Sequence, residues 1–392
     1  MFRRLSLTDG GFATMDLVAV LSGLDVLRAE AVVRELGELS IVEVDEHGRV
    51  RVDGFVGVFA RMQLKKDPDA EAARELADRY LLSGIAAAGW WFKGYSTMSV
   101  GEEGIEVRHL TSFEGATEWL LAEGECWPAA LLRAQIAGRH RLVVVLISHL
   151  HWFAQLWPHR QAWIELWQLA AKSAEVIGDK AQFALLHDEL AGFLIAYRRD
   201  APAAARALDV AEQAAAELEG PRYLGWNYFL RAGVALELGE YARGLRYCDD
   251  ALQEMGDVTV HEPLLYTRMA RAELLVKLGR HDEAMQELAE VRGRIAELDL
   301  PVPRMAELFL VNLARIAAES YRARGDLKAC VAACTGALEG QSHLQGHPVL
   351  AEILMARGSA HRDLGEEAAA ARDFFDTENL FVSATVFPEL SA

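Results

Sequence analysis

The chain has 392 residues, 52% of them apolar and 25% charged, with a formal charge of −18 at neutral pH. That balance specifies a well-buried globular protein of two or three domains rather than a disordered one. The charge argues against a nonspecific grip on DNA or on an anionic membrane, since both need a basic face. The longest apolar runs, such as 142–148, are too short to span a bilayer, and the N-terminus MFRRLSLTDGG lacks a signal-peptide core, so a cytoplasmic location is expected. Abundant Ala and Arg beside scarce Lys and Asn suggest a bacterial source of high GC content.

Residues 12–66 read as one compact unit. Apolar residues at helical spacing predict helices over 12–23 and 24–39, alternation predicts a hairpin of 41–46 and 49–53 across His47–Gly48, and 54–63 returns to helix. Helix, turn, helix, hairpin, helix is the order of a winged helix-turn-helix, assigned to residues 1–66. A helix over 69–88, entered after Pro68, and an irregular Gly-rich stretch over 89–113 fill 67–113 as linker or covering loop.

From 114 to 376 helices are expected almost throughout, over 114–123, 127–137, 140–156, 160–177, 180–198, 201–218, 222–238, 241–255, 262–278, 281–297, 303–323, 326–339, 347–363 and 366–376. Residues 377–392 read as a loose or strand-like tail. Four glycines, Gly239, Gly279, Gly325 and Gly365, each close one helical run and open the next, at spacings of 40, 46 and 40 residues. A period in that range means stacked helical hairpins that bury their apolar faces against one another. The fold class is therefore all-α: a right-handed TPR-like α-superhelix with a small N-terminal winged-helix domain.

The repeat register explains three of the four cysteines. Cys248 and Cys334 sit nine residues after a repeat glycine, where Leu288 and Phe374 also fall, and Cys330 sits five after, where Gly244, Ala284 and Ala370 require a small side chain. They read as reduced core fillers, not as a disulfide or metal framework.

The order of these segments resembles the tail of bacterial signal-transduction ATPases of the NB-ARC/STAND type, in which a winged helix precedes tetratricopeptide (TPR) repeats. The likeness is carried by FRRLSL, LVAVLSGL, AEAVVRELGELSIVEVD and RVRVDGFVGVFAR, then by ATEWLLAEGECWPAALLRAQIAGRH, WPHRQAWIELWQLAAKSAEVIGD and the repeats, over residues 1–376. Two departures matter. No G-x-x-x-x-G-K-[ST] phosphate loop occurs, and the His-Asp pair that senses nucleotide in that family is replaced by Val52-Asp53. The resemblance thus implies a sensor array without its switch, and no NTPase activity or cofactor is expected.

Two constellations could carry function. Helix A of each repeat should line a concave face and present Trp226, Tyr228, Arg268, Asn312 and Arg315, with Arg231, Arg271 and Arg357 each eight residues before a repeat glycine and therefore stacked as a column. That column either forms ion pairs with adjacent repeats or clamps the carboxylates of a peptide. The second constellation is the cluster at 149–167: His149, His151, Trp152, Trp157, Trp163 and Trp167. These rings either pack the first hairpin or, with Trp90, Trp91 and Tyr95 closing over them, form an aromatic pocket for a hydrophobic small molecule or peptide side chain.

His149 and His151 point apart on a helix and cannot chelate one ion, and no metal-ligand or nucleophile motif appears, so no metal is expected. The helix at 24–39, the recognition helix of a winged helix, sets Arg28 and Arg34 against Asp25, Glu30, Glu35 and Glu38, which disfavours a DNA-binding regulator. The reading is a non-catalytic scaffold or regulatory protein that binds a protein or peptide partner in its groove, with a homodimer left open. The rival is a TPR-fold biosynthetic enzyme that templates a cyclisation or rearrangement in the aromatic pocket.

Overall fold

The computed structural model describes residues 1–8, 11–52, 54–93, 99, 110–156, 162–216, 218, 221–256, 262–295, 305–339, 344 and 347–384. Among them the chain is helical except for one short hairpin, and it divides into two units, Met1–Phe153 and Ala154–Ala392.

The first unit runs α1 (Phe2–Leu5), a 3-10 turn, α2 (Met15–Ser22), α3 (Val26–Glu38), β1 (Glu43–Val44), β2 (Val50–Arg51), α4 (Gly54–Leu64), α5 (Ala70–Phe92), α6 (Phe113–Ala122), α7 (Trp127–Ile136) and α8 (His140–Ser148). Thr14 caps α2 by accepting the Leu17 N–H, and Asp25 caps α3 by accepting that of Arg28. The helix expected from residue 12 starts only at Met15. Ala13 instead exchanges backbone hydrogen bonds of 2.9 and 2.8 Å with Val50, which adds a third extended segment to the hairpin.

Helix α5 runs past the expected end at 88 because Phe92 is buried, with its ring centroid 4.9 Å from Phe113 and 5.3 Å from Phe153. The segment joining this helix to Phe113 lies largely outside the described residues. The buried carboxylate of Glu123, at the end of α6, accepts hydrogen bonds from Thr14 and from the Tyr80 hydroxyl (3.1 Å), so α2, α5 and α6 meet at one acid. Burial pushes that carboxyl above its ordinary range despite these donors. Glu125 accepts the Phe12 N–H at 3.0 Å. Residues 114–153 therefore pack with the N-terminal segments, whereas the repeat register was expected to begin at 114.

The second unit continues from α9 (His151–Leu156) with α10 (Ala162–Ile177), α11 (Lys180–Phe193) prolonged by a π-turn over Leu194–Arg198, α12 (Ala201–Ala215), α13 (Pro221–Glu237), α14 (Tyr241–Met255), α15 (Glu262–Lys277), α16 (His281–Ile295), α17 (Met305–Ala323), α18 (Leu327–Leu338), α19 (Pro348–Asp363) and α20 (Glu367–Ala384). The last helix extends through residues expected to form a loose tail, and residues 385–392 lie outside the described set. Gly239, Gly279, Gly325 and Gly365 all adopt left-handed φ, from 75° to 81°, at the turn inside a hairpin.

A fifth hairpin, α11–α12, turns at Arg199 with φ 50°, forty residues before Gly239. Ala204 and Leu208, five and nine residues after Arg199, are buried at the register held by Gly244 and Cys248. All three cysteines of the repeats are buried and reduced, and the hydrogen bond that the Cys334 thiol donates to Cys330, followed by burial, pushes Cys334 well up. The result is an all-α, TPR-like stack.

Between the first two of these hairpins lies a buried polar chain. Asn227 donates to Asp188 (2.8 Å) and to the Leu208 carbonyl (3.0 Å), and accepts from Arg231 (2.9 Å). Burial raises the Asp188 carboxyl well above the usual carboxylate range, and the hydrogen bond from Asn227 only partly offsets this.

Three substitutions test the turns and the buried acid. Gly279→Ala lowers stability by about 1 kcal/mol, because its Cβ meets no atom and the cost is the left-handed backbone alone. Arg199→Gly raises the melting temperature in high salt, where its exposed pair with Glu237 is screened; an unchanged or lower value would exclude strain at that turn. Asp188, with its folded pKa raised, retains a proton that the unfolded chain releases near pH ~4, so stability falls as pH rises from there through the folded value. Urea titrations across that range should show Asp188→Asn, which keeps an acceptor for Asn227, gaining on the native protein as pH rises. A pH-independent difference would refute this.

Candidate functional site

The first helices of successive hairpins, α11, α13, α15, α17 and α19, pack on one another, and among the described residues the second helices make no comparable contacts. Splayed second helices and touching first helices bend the stack toward the first helices, which become its inner row. Aromatic side chains run along this row. Trp226 and Phe229 of α13 have ring centroids 4.8 Å apart, both lie 6.0 Å from Tyr266 of α15, and Tyr266 lies 4.8 Å from Phe309 of α17. These spacings are those of interacting rings. Phe309 is buried, while Trp226, Phe229 and Tyr266 are half-buried and keep part of their faces open.

Charges continue the row. Arg315 of α17 grips Glu273 of α15 through two bonds of 3.1 and 2.6 Å and reaches Glu352 of α19 at 3.4 Å. Lys277 pairs with Glu319 beside it. Burial works to raise the Glu273 carboxyl, but the charge and hydrogen bonds of Arg315 outweigh it and hold the acid below its usual range. The phenol of Tyr266 is driven up by burial and then by Glu262, Tyr197 and Glu189; that of Tyr197 is driven up by burial and by Glu352. Both hydroxyls therefore stay protonated and can donate hydrogen bonds. At the rim His347, which caps α19, lies 3.3 Å from the carbonyl of Gln155 in α9. The inner face is aromatic and rich in carboxylates.

The arginine column is present as a repeating register, and each member is engaged. Arg231 binds Asp209 (2.9 Å) and Glu212 (2.8 Å), Arg271 binds Asp249 (3.0 Å) and Glu287 (2.6 Å), and Arg357 binds Asp373 (2.6 Å) and the Thr335 hydroxyl (3.3 Å). Asp209, Asp249 and Thr335 each sit ten residues after a hairpin turn, so every guanidinium reaches back to the second helix of the preceding hairpin. Arg268 bridges Glu287 and Glu290 at 3.0 Å each, Asn312 donates to its own helix at Leu308, and Tyr228 stacks on Tyr247. Of the residues expected to line the groove, Trp226 and Arg315 belong to the aromatic and charged run just described; the others are engaged as stated.

The aromatic cluster divides between the two units. Trp90, Trp91, His149, His151 and Trp152 belong to the first and Trp163 and Trp167 to the second, while Tyr95 and Trp157 lie outside the described residues. Trp152 is buried beside His151. Trp163 and Trp167 stack at 6.0 Å, both buried, against Phe193. His149 is buried against Gly89, Trp91 donates to the Leu110 carbonyl at 3.0 Å, and exposed Trp90 carries the Lys93 ammonium 4.0 Å from its ring. The indoles of Trp152, Trp163 and Trp167 are thus enclosed, those of Trp163 and Trp167 packed on one another and on Phe193. No cluster of three or more His, Cys, Asp or Glu able to hold a metal occurs among the described residues, and none of their helices is long and apolar enough to cross a membrane.

Sequence reasoning missed Phe229, Tyr266, Phe309, Glu273 and Tyr197. A signal existed: Trp226, Tyr266, Asn312 and Glu352 all lie thirteen residues before a repeat glycine, and Phe229 and Arg315 ten before. Those registers, not the one eight before, carry the inner-row contacts.

No protein-family model matches the chain, and no curated protein matches it. Among solved structures it is similar to a Signal Transduction ATPase with Numerous Domains (STAND) protein with a tetratricopeptide repeat sensor from Pyrococcus horikoshii, at 14% identity and a TM-score of 0.42. That alignment covers 98% of this chain and 64% of the other, so the chain spans less than two thirds of its length.

Proposed function

We propose that the chain is a non-catalytic repeat scaffold that binds an extended protein or peptide segment along the inner row of first helices, with the N-terminal unit acting as a winged-helix module. The observation that carries this reading is the half-open aromatic run Trp226–Phe229–Tyr266, floored by Phe309. Open aromatic faces at the centre of a concave surface are the usual anchors of a binding interface. Glu352, which is exposed beside Arg315, and the protonated hydroxyls of Tyr197 and Tyr266 supply polar contacts, so the preferred segment carries Lys or Arg. Arg231, Arg271 and Arg357 serve this site indirectly, by holding consecutive hairpins in register.

The winged-helix assignment rests on the order α2, α3, β1, β2, α4 and on the Ala13–Val50 bridge that closes the small sheet. A DNA-reading role is disfavoured by α3, where Arg28 is paired with Asp25 at 3.3 Å and carboxylates outnumber the arginines.

Selection of peptides from a random display library, followed by titration, tests the reading. Selected peptides should be basic and should lose about thirtyfold in affinity on Trp226→Ala with Tyr266→Ala, as removal of a central aromatic anchor costs about 2 kcal/mol or more, while helical circular dichroism is retained. The triple variant Arg231→Ala, Arg271→Ala, Arg357→Ala should instead lower the melting temperature. Peptides that bind the aromatic variant with undiminished affinity would refute the site.

A further inference from the structure

Helix α4 is turned outward. Its buried residues are Gly57 and Ala60, while Phe55 is 95% exposed, Val58 49%, Phe59 52% and Met62 60%. Positions 55, 58, 59 and 62 follow the i, i+3, i+4, i+7 spacing of a single helix face, a stripe about 10 Å long. A surface helix ordinarily buries such a face and exposes its small residues. Phe2 of α1 extends the stripe, with its ring stacked 6.2 Å from that of Phe59. Single exposed apolar residues need no account, but a contiguous row of four does.

The charge beside the stripe says what covers it. Residues 54–66 contain Arg61, Lys65 and Lys66, all exposed, and no acid, on a chain of net charge −18. We propose that this stripe docks an acidic amphipathic helix of a partner protein. Apolar side chains at the same spacing would meet Phe55, Val58, Phe59 and Met62, and flanking carboxylates would meet Arg61, Lys65 and Lys66, which is helix-on-helix recognition read by spacing and sign. A second copy meeting it through the same stripe would set three cations against three. An anionic bilayer would attract the stripe but repel the rest of the chain, and a face this short gives it little apolar area to insert. This surface is separate from the inner row, so the two proposals stand or fall independently.

The test uses the full chain with two fluorescently labelled helical peptides, one carrying Leu at i, i+3, i+4 and i+7 flanked by Glu, the other identical but flanked by Lys. Fluorescence anisotropy should show the Glu peptide binding at least tenfold more tightly than the Lys peptide, with its affinity falling as salt is raised. Phe55→Asp with Met62→Asp should weaken binding at least tenfold at an unchanged melting temperature, and Arg61→Glu with Lys65→Glu should invert the peptide preference. Equal binding of the two peptides, or binding indifferent to these substitutions, overturns the proposal. So does flotation with phosphatidylserine vesicles in place of peptide binding, a dimer in sedimentation that Phe55→Asp dissolves, or a fall in melting temperature showing that the stripe is covered by its own chain.

Discussion

A single helical hairpin presents two apolar faces and can bury only one of them in its own seam. The hairpins of 180–384 therefore depend on their neighbours, and what makes the dependence specific is charge laid across the joints. Arg231, Arg271 and Arg357 each reach from a first helix to the second helix of the preceding hairpin. Arg315 does the same between first helices, joining Glu273 to Glu352. Apolar packing fixes that neighbours stack. The guanidiniums of Arg231, Arg271 and Arg357 add directional contacts across three of these joints, while Ala317 holds their register at the joint before α17.

The buried polar chain of Asp188, Asn227 and Arg231 shows the same economy at one joint. Asn227 is fully enclosed and satisfies a carboxyl on α11, a carbonyl on α12 and a guanidinium on its own helix. Enclosed groups of this kind add little net stability, because desolvation offsets their attraction. Their effect is to penalise every other packing of α13, since any slip leaves Asp188 or Asn227 without its partner. Glu123 has the matching position in the first unit, where Thr14 and Tyr80 converge on it.

The stack was legible in the sequence because its turns demand left-handed backbone, and glycine supplies that four times at a near-constant period. The helices on either side of Arg199 were legible, as 180–198 and 201–218, but their place in the period was not, since a residue with a side chain holds the left-handed conformation there. Ala204 and Leu208 kept the packing register, and they were the signal that remained. The arginine column was legible as a register but not as a role: one sequence shows that a cation recurs, and only contacts show that acids already meet it. The inner row was legible only in part, at Trp226, Asn312 and Arg315, because its members change chemistry from repeat to repeat, Trp226, Tyr266, Asn312 and Glu352 at one position, so no residue type recurs. The tryptophans at 152, 163 and 167 drew attention by composition, and large rings are as useful in a core as in a pocket.

The engagement of the arginines also decides how a ligand can use them. A carboxylate arriving at Arg271 would have to displace Asp249 or Glu287, both tethered to the same fold and therefore present at a high effective concentration. Displacement would release one joint of the stack, so a ligand acting there would be coupled to the rotation between hairpins. The aromatic run carries no such penalty. Its rings are half-buried, and covering the apolar surface they still show to water breaks none of the ion pairs described above. The inner positions change from one repeat to the next, whereas the register eight residues before the turn holds Arg231, Arg271 and Arg357, with Ala317 in the hairpin that turns at Gly325. The proposed division between holding and binding therefore rests on which side chains are already satisfied.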